Sequence, residues 1–394
     1  MTRFGLGCLL VTCALAAEPA TPVNPEAPAP APVNPEAPVP APAGSMELRL
    51  PTENHHLLTG RPEKFYMYVD RTYEGVTSKP WQGGTFGLVR TPVKVNGQPV
   101  LRQFHEGIDI APIKRDKAGN PLDLVSAIAA GTVVHTSPVS GRSNYGKYVV
   151  VAHQWENSRV YSLYAHLAEV SCKPGDPVRA GSLLGRMGYT GSGLSRTRAH
   201  LHLELGLMLN TRYEDWHLAT GKGINHHGIH NGMNIAGADA AGFFLGRAKN
   251  PQLKFSEYLA ATPVYFKVAV PATKAPPDLL VSYPWLGQAP PPTGATTTPP
   301  ASWEISFTAT GLPTHIEPSQ RKVTAPVITR IRPSEIPHRF LTRYLVTGEG
   351  STAALTRSGT ALVALITGDF PTAPAKPAPA KPAQDTAGTV SKSP

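Results

Sequence analysis

The amino-acid sequence predicts an all-β protein. Short runs rich in β-branched and aromatic residues recur between glycine-rich breaks, and no segment sustains a 3.6-residue apolar period. One run, "RTRAHLHLELGL" (Arg196 to Leu207), alternates between two faces as a half-buried strand does. The 394 residues leave room for one or two domains. The 42 prolines and 7% aromatic content place part of the chain outside any packed core.

Residues 1–17 read as a secretory signal peptide: Arg3 opens an apolar stretch from Phe4 to Ala17, and Ala14-Leu15-Ala16 offers small residues for cleavage. "LVTC", ending at Cys13, weakly matches a lipobox, which makes Cys13 a candidate N-terminal lipid anchor. Residues 18–45 form a proline-rich spacer in which "PVNPEAP" occurs twice, from Pro22 and from Pro32, a composition that favours extended polyproline II. Residues 46–250 are dense in strand-like segments: "VKVNGQPVL" with its Asn96-Gly97 hairpin signal, then "AIAAGTVVHTS", "KYVVVAHQW", "RVYSLYAHL", "AHLHLELGLML" and a final strand in "MNIAGADAAGFF". Residues 251–370 continue in β-like fashion with "VYFKVAV", "WEISFTATG" and "ALVALITGDF" around a proline-rich loop, and are expected to form a small β-rich accessory domain of sandwich type. Residues 371–394 are a Pro/Ala/Lys-rich tail expected to be disordered.

The cysteines, Cys8, Cys13 and Cys172, leave the mature chain no disulfide framework. After the leader, no apolar run approaches the roughly 18 residues that span a bilayer, so the mature chain is expected to be exported to the periplasm or cell envelope without a membrane span. The net charge of +10 favours an anionic partner. Nucleic acid is excluded by the lack of a basic helix or aromatic–basic interleaving, whereas an anionic envelope fits.

The chemistry concentrates on histidines. On a strand, His200 and His202 point the same way, roughly 6–7 Å apart, while Leu201, Leu203 and Leu205 face a core. "FHEGIDIAP" adds His105 and Asp109. A helical H-E-x-x-H site would need histidine where Asp109 stands, and Gly107 argues against a helix. On a straight strand the two residues would lie roughly 13 Å apart, so Gly107 is expected to bend the chain and let them converge. "YAHL" supplies His166. Imidazoles with one carboxylate and no thiolate suit zinc, and three protein ligands with an open position is the catalytic type of site. Local geometry leaves open which of His200 and His202 binds the metal.

The segments "FGLVRTPVKVNGQPVLRQFHEGIDIAP", "AIAAGTVVHTSP", "NYGKYVVVAHQ", "YSLYAHL", "KPGDPVRAGSLLGRMGYTGSG" and "AHLHLEL", in that order over about 86–210, resemble the lysostaphin-type (LytM-like) zinc endopeptidases, with the separated motifs H-x-x-x-D, Y-x-H-L and H-x-H. The resemblance implies a LytM-like antiparallel β-sheet core and hydrolysis of peptide cross-links in bacterial peptidoglycan. It further implies one zinc ion held by His105, Asp109 and His202, with His166 and His200 flanking the water and the scissile carbonyl. Which of that pair takes the first proton stays open. The chain is expected to act as a monomer. The family often has Gly-Pro before H-L-H; here Arg198-Ala199 precede it. His153 resembles a structural histidine of the family. An insertion at about 211–232 carries His226, His227 and His230, expected in a solvated loop, with a second metal site or a lid over the cleft as alternatives. The alternative function is a non-catalytic LytM-like domain that binds the wall or activates another hydrolase. A lipoyl-type carrier reading of "VSCKPGDPVRAGSLLGRMG" fails for want of an exposed hairpin lysine between hydrophobic neighbours.

Overall fold

The computed structural model describes residues 46–221, 223–272, 276–287 and 299–372. The expected signal peptide and spacer, and all but the first two residues of the expected tail, lie outside the described residues.

Asn96-Gly97 closes a two-residue hairpin between β1 (Gly87–Val95) and β2 (Gln98–His105). Both turn residues have positive φ, 50° and 80°, as a type I′ turn requires. Then follow β3 (Ile108–Ile110), β4 (Leu124–Ser126), β5 (Gly131–Ser137), β6 (Lys147–Trp155), β7 (Ser158–Val170), β8 (Pro177–Val178), β9 (Leu183–Met187) and β10 (Leu201–Met208). Helix α1 (Tyr213–Ala219) lies in the insertion, and β11 (Ile235–Ala238) returns to the sheet. One nine-stranded antiparallel sheet runs β8-β5-β6-β7-β9-β4, with β10 joined to β7, β3 and β11.

Alternation along β10 does what the sequence requires of it. Leu201, Leu203, Leu205 and Leu207 are fully buried in a core that includes Ile108, Ile110, Val149 and Val151. The opposite face of the sheet carries a second apolar cluster, Tyr148, Val150, Ala152, Tyr161, Leu163 and Ala165, beside the histidines. Burial on both faces explains the near-continuous apolar runs of β6 and β7.

The strand expected in "MNIAGADAAGFF" stops at Ala238. Asp239 accepts from the Gly242 amide and caps α2 (Ala240–Lys249). A short helix, α3 (Phe255–Ala260), precedes a four-stranded antiparallel sheet ordered β14-β13-β12-β15, built from β12 (Phe266–Pro271), β13 (Ser302–Phe307), β14 (Pro313–Ser319) and β15 (Val327–Ile331). "VYFKVAV" and "WEISFTATG" thus form strands. "ALVALITGDF" does not: it belongs to α4 (Arg357–Thr367), whose N-cap Thr356 accepts from the Gly359 amide and whose C-cap Gly368 has φ 75°. Val363, Leu365 and Ile366 of α4 are buried. Among the described residues after 250, the β structure is this sheet and a two-stranded pairing of Val346–Thr347 with Ala354–Leu355, rather than two facing sheets. Its core is continuous with that of the larger sheet, since Phe266, Val268, Ile305 and Phe307 belong to the same apolar cluster as the β10 leucines. Among the described residues, no helix is long and apolar enough to cross a membrane.

Candidate functional site

Register places the first two groups. In the antiparallel pairing of β10 with β3, His202 lies directly opposite Asp109; on its other side it lies opposite Ala165 of β7, next to His166. His105 ends β2, and the chain doubles back through Glu106-Gly107 into β3. A Cβ on Gly107 would sit 2.4 Å from the Leu203 carbonyl oxygen, so only glycine lets the turn pass this close to β10.

The result is a compact donor cluster. His105 Nε2, His202 Nδ1 and Asp109 Oδ1 are each 3.0 Å from the other two, and all three side chains are buried. His200 Nε2 is 3.2 Å from the same carboxylate oxygen. His166 stands beside His200, with ring centroids 4.8 Å apart in a T-shaped arrangement. Its backbone is in the left-handed region, φ 63°, which is costly for a histidine and recurs where a site dictates a side chain's direction. All five residues expected at the site are therefore brought together.

The surroundings fix each ring. His105 Nδ1 pairs with the Thr85 carbonyl at 2.8 Å, His166 Nδ1 with the Thr190 carbonyl at 2.9 Å, and His200 Nδ1 with the Arg198 carbonyl at 2.7 Å. A carbonyl only accepts, so each Nδ1 carries the proton and each Nε2 presents a lone pair. His202 is turned the other way: its Nε2 donates to Glu204 Oε1 at 3.0 Å, leaving Nδ1 toward Asp109. Tyr145 donates to the same Glu204 oxygen at 2.5 Å. Arg90 holds the second oxygen of Asp109 and, through Nε, the Gly83 carbonyl at 2.8 Å.

Electrostatics describe a pocket that favours a cation. Burial opposes ionisation of Asp109, yet His105 and His200 outweigh it and hold the carboxyl well below its usual range. Burial likewise opposes a charge on His202, but Asp109 and Glu204 together push it up to about 10. His105 and His166 are pushed down, chiefly by burial. Burial raises Glu204. Two carboxylates around a buried imidazole create a potential that a metal cation satisfies, and three donors about 3 Å apart suit bonds of about 2.0–2.2 Å to zinc. Among the described residues, His105, Asp109 and His202 are the one group of three able to hold a metal ion.

Sequence reasoning missed Glu204, Tyr145 and Arg90. Glu204 was legible, because it continues the period-two face of His200 and His202. Arg90 and Tyr145 arrive from distant strands and loops and left no local trace. The expected bystander, His153, is buried between the Ala130 carbonyl at 2.8 Å and the Ser162 hydroxyl at 2.7 Å. The described part of the insertion is solvated only in part: Leu218, Gly223 and Ile224 are exposed, but its later histidines pack on the sheet. His227 Nδ1 lies 2.7 Å from the Tyr148 hydroxyl, and His230 stacks on His135 at 5.4 Å, which pins the segment to the sheet; His226 stays exposed.

Residues 103–214 match the family model described as Peptidase family M23. Over 102 residues the chain is 33% identical to the lipoprotein NlpD/LppB homolog of Pseudomonas aeruginosa, covering 26% of this chain and 29% of that protein. The match thus spans under a third of that relative's length. Among solved structures, the catalytic domain of the antimicrobial peptidase lysostaphin from Staphylococcus simulans is 27% identical, covering 31% of this chain and 76% of that one, with a TM-score of 0.22. A zinc-containing peptidase from Vibrio cholerae is 27% identical, covering 36% of each chain, with a TM-score of 0.22.

Proposed function

We propose, from the Peptidase family M23 domain that residues 103–214 form, that this chain is an exported zinc-dependent endopeptidase acting on peptide cross-links of bacterial peptidoglycan. The observation that carries the reading is the convergence of His105 Nε2, Asp109 Oδ1 and His202 Nδ1 within 3.0 Å of one another, with two further buried imidazoles beside them. His105, Asp109 and His202 would hold the ion. Zinc bound there supplies Lewis acidity and a water acidified toward neutrality.

The chain's own residues do the rest. His166 and His200 each offer a lone pair on Nε2 while a backbone carbonyl holds the opposite nitrogen. One accepts a proton from the attacking water and hands that same proton to the leaving amine, while the other, when protonated on Nε2, would stabilise the tetrahedral oxygen, assistance typically worth 10²–10⁴-fold. Glu204 fixes the tautomer of His202, and Arg90 fixes the carboxylate of Asp109. A glycosidase would need two carboxylic acids flanking the linkage. Asp109 is committed to the cluster and Glu204 is fully buried behind His202, so an amide is the better substrate. An alanine-proline spacer and a lipobox-like leader fit an envelope cross-linked directly through a diamino acid rather than by glycine bridges.

The test is digestion of purified sacculi resolved by mass spectrometry. Cross-linked dimeric muropeptides should become monomers with no new reducing sugar ends. New reducing ends, or intact dimers with a zinc-loaded chain, overturn the reading; intact dimers would favour a non-catalytic binding module.

A further inference from the structure

A cleft of about 800 Å³ opens beside the metal cluster, and its far wall comes from outside the M23 match. On the near wall stand Glu106, the neighbour of His105, and Tyr145, whose ring lies 5.7 Å from that of His202. Trp216 of the insertion and Met233, just after it, also line the cleft. The C-terminal part of the chain contributes Arg343 and Arg357.

Arg343 is placed deliberately. It and Tyr344 both take left-handed backbone, with φ 54° and 61°, a costly pair for two large residues. The segment is docked on the hairpin that leads to His105: Arg102 Nη1 donates to the Tyr344 hydroxyl at 3.0 Å, and Asn96 Nδ2 to the Glu335 carbonyl at 3.3 Å. The Arg343 guanidinium lies over the ring of Phe104 at 4.1 Å and donates from Nη1 to the Thr310 carbonyl at 3.1 Å. It feels the charge of Glu106, yet it makes no ion pair among the described residues, and neither does Arg357. One acid and an arginine thus face a shared cleft without neutralising each other.

We infer that this cleft is a subsite for a zwitterionic amino-acid centre on the peptide stem, its ammonium held by Glu106 and its carboxylate by Arg343. The inference rests on the endopeptidase reading, because it places the stem of the substrate in the cleft beside the metal cluster. The ligand chemistry follows from the walls. The guanidinium fork suits a carboxylate, Phe104 lies beneath that fork, and the Glu106 carboxylate disfavours a purely anionic ligand while welcoming an ammonium beside it. In a stem built on a diaminodicarboxylic acid, the distal end that is not acylated by a cross-link carries both groups on one carbon.

The experiment is calorimetric titration of the zinc-loaded full chain bearing His200→Ala, so that nothing is cleaved. The probe is a stem tripeptide ending in a diaminodicarboxylic acid, in three forms: unmodified, with the free-centre carboxylate amidated, and with the free-centre amine acetylated. Amidation, acetylation, Arg343→Gln and Glu106→Gln should each weaken binding roughly tenfold or more, as loss of a charge-assisted hydrogen bond does. Arg343→Lys keeps the charge but loses the fork, and should weaken the unmodified probe by less than Arg343→Gln does. It also guards against misfolding, which thermal melting of each variant reports. Equal affinity for the three probes, or an unchanged affinity in a folded Arg343→Gln chain, overturns the subsite. If the binding pattern holds while the chain with His200 intact leaves sacculi uncut, the endopeptidase reading falls and the subsite stands. If sacculi are cut but the probes bind alike, the subsite alone falls.

Discussion

Replacing Glu204 by glutamine isolates the contribution of a group that never touches the substrate. The side chain is fully buried; Oε1 accepts from His202 Nε2 at 3.0 Å and from Tyr145 at 2.5 Å, while Oε2 has no hydrogen-bond partner. Glutamine keeps the shape, and its carbonyl can take over both accepted bonds. What is lost is charge. A bond to a charged group contributes about 1.5–3 kcal/mol and a neutral one about 0.5–1.5, so the exchange costs about 1 kcal/mol. The amide nitrogen then occupies the position of Oε2, and an unsatisfied buried donor adds a further cost of about 1–3 kcal/mol. The carboxylate also makes His202 a stronger donor to a metal, and removing such a partner costs 10–100-fold in affinity, or about 1.4–2.8 kcal/mol. We expect Glu204→Gln to weaken zinc binding within that range while the folded chain is retained, measured by competition with a chromophoric chelator alongside thermal melting. An unchanged zinc affinity would refute the argument, showing that the His202–Glu204 contact is packing without electrostatic consequence.

Two neighbours on one strand should part company: His202→Ala should lose zinc and cleavage together, whereas His200→Ala should keep most of its zinc and lose turnover by 10²-fold or more, and zinc lost from the His200 variant would reverse their assignments. Leu203, fully buried beneath the site, should cost about 2–5 kcal/mol when cut to alanine, read by urea denaturation, and a cost below 1 kcal/mol would mean that this face of β10 is not core. Mild acid should destabilise the fold through its buried neutral histidines. Burial lowers His153 from 6.5 to about 4, so its contribution is complete above about pH 6.5 and is lost as pH falls toward the folded value, about 2 kcal/mol at about pH 5. His135, at about 4, adds in the same direction. A urea midpoint unchanged between pH 7 and pH 5 would contradict this.

The sheet and the site were legible for one physical reason: period two. The alternation of "AHLHLEL" placed two imidazoles on one face and leucines on the other, and β10 does the same. Gly107 announced a turn, and the turn brings His105 to Asp109. Helix α4 was misread because "ALVALITGDF" is rich in β-branched and aliphatic residues, which satisfy either state. Its caps, Thr356 before the run and Gly368 after it, were the better signal. Arg90, Tyr145 and Arg343 could not be found from pattern alone, because each reaches its place through pairing between segments far apart in sequence. Left-handed backbone at His166 and Arg343 is likewise a property of the assembled fold, not of local sequence.

The most direct test of the account is a crystal structure of the zinc-loaded chain with an anomalous difference map at the zinc edge. The account predicts one peak per chain, bonded to His105 Nε2, Asp109 Oδ1 and His202 Nδ1, with His166 and His200 beside it and unbonded. No peak at that cluster, or a peak instead among His135, His227 and His230, would contradict it.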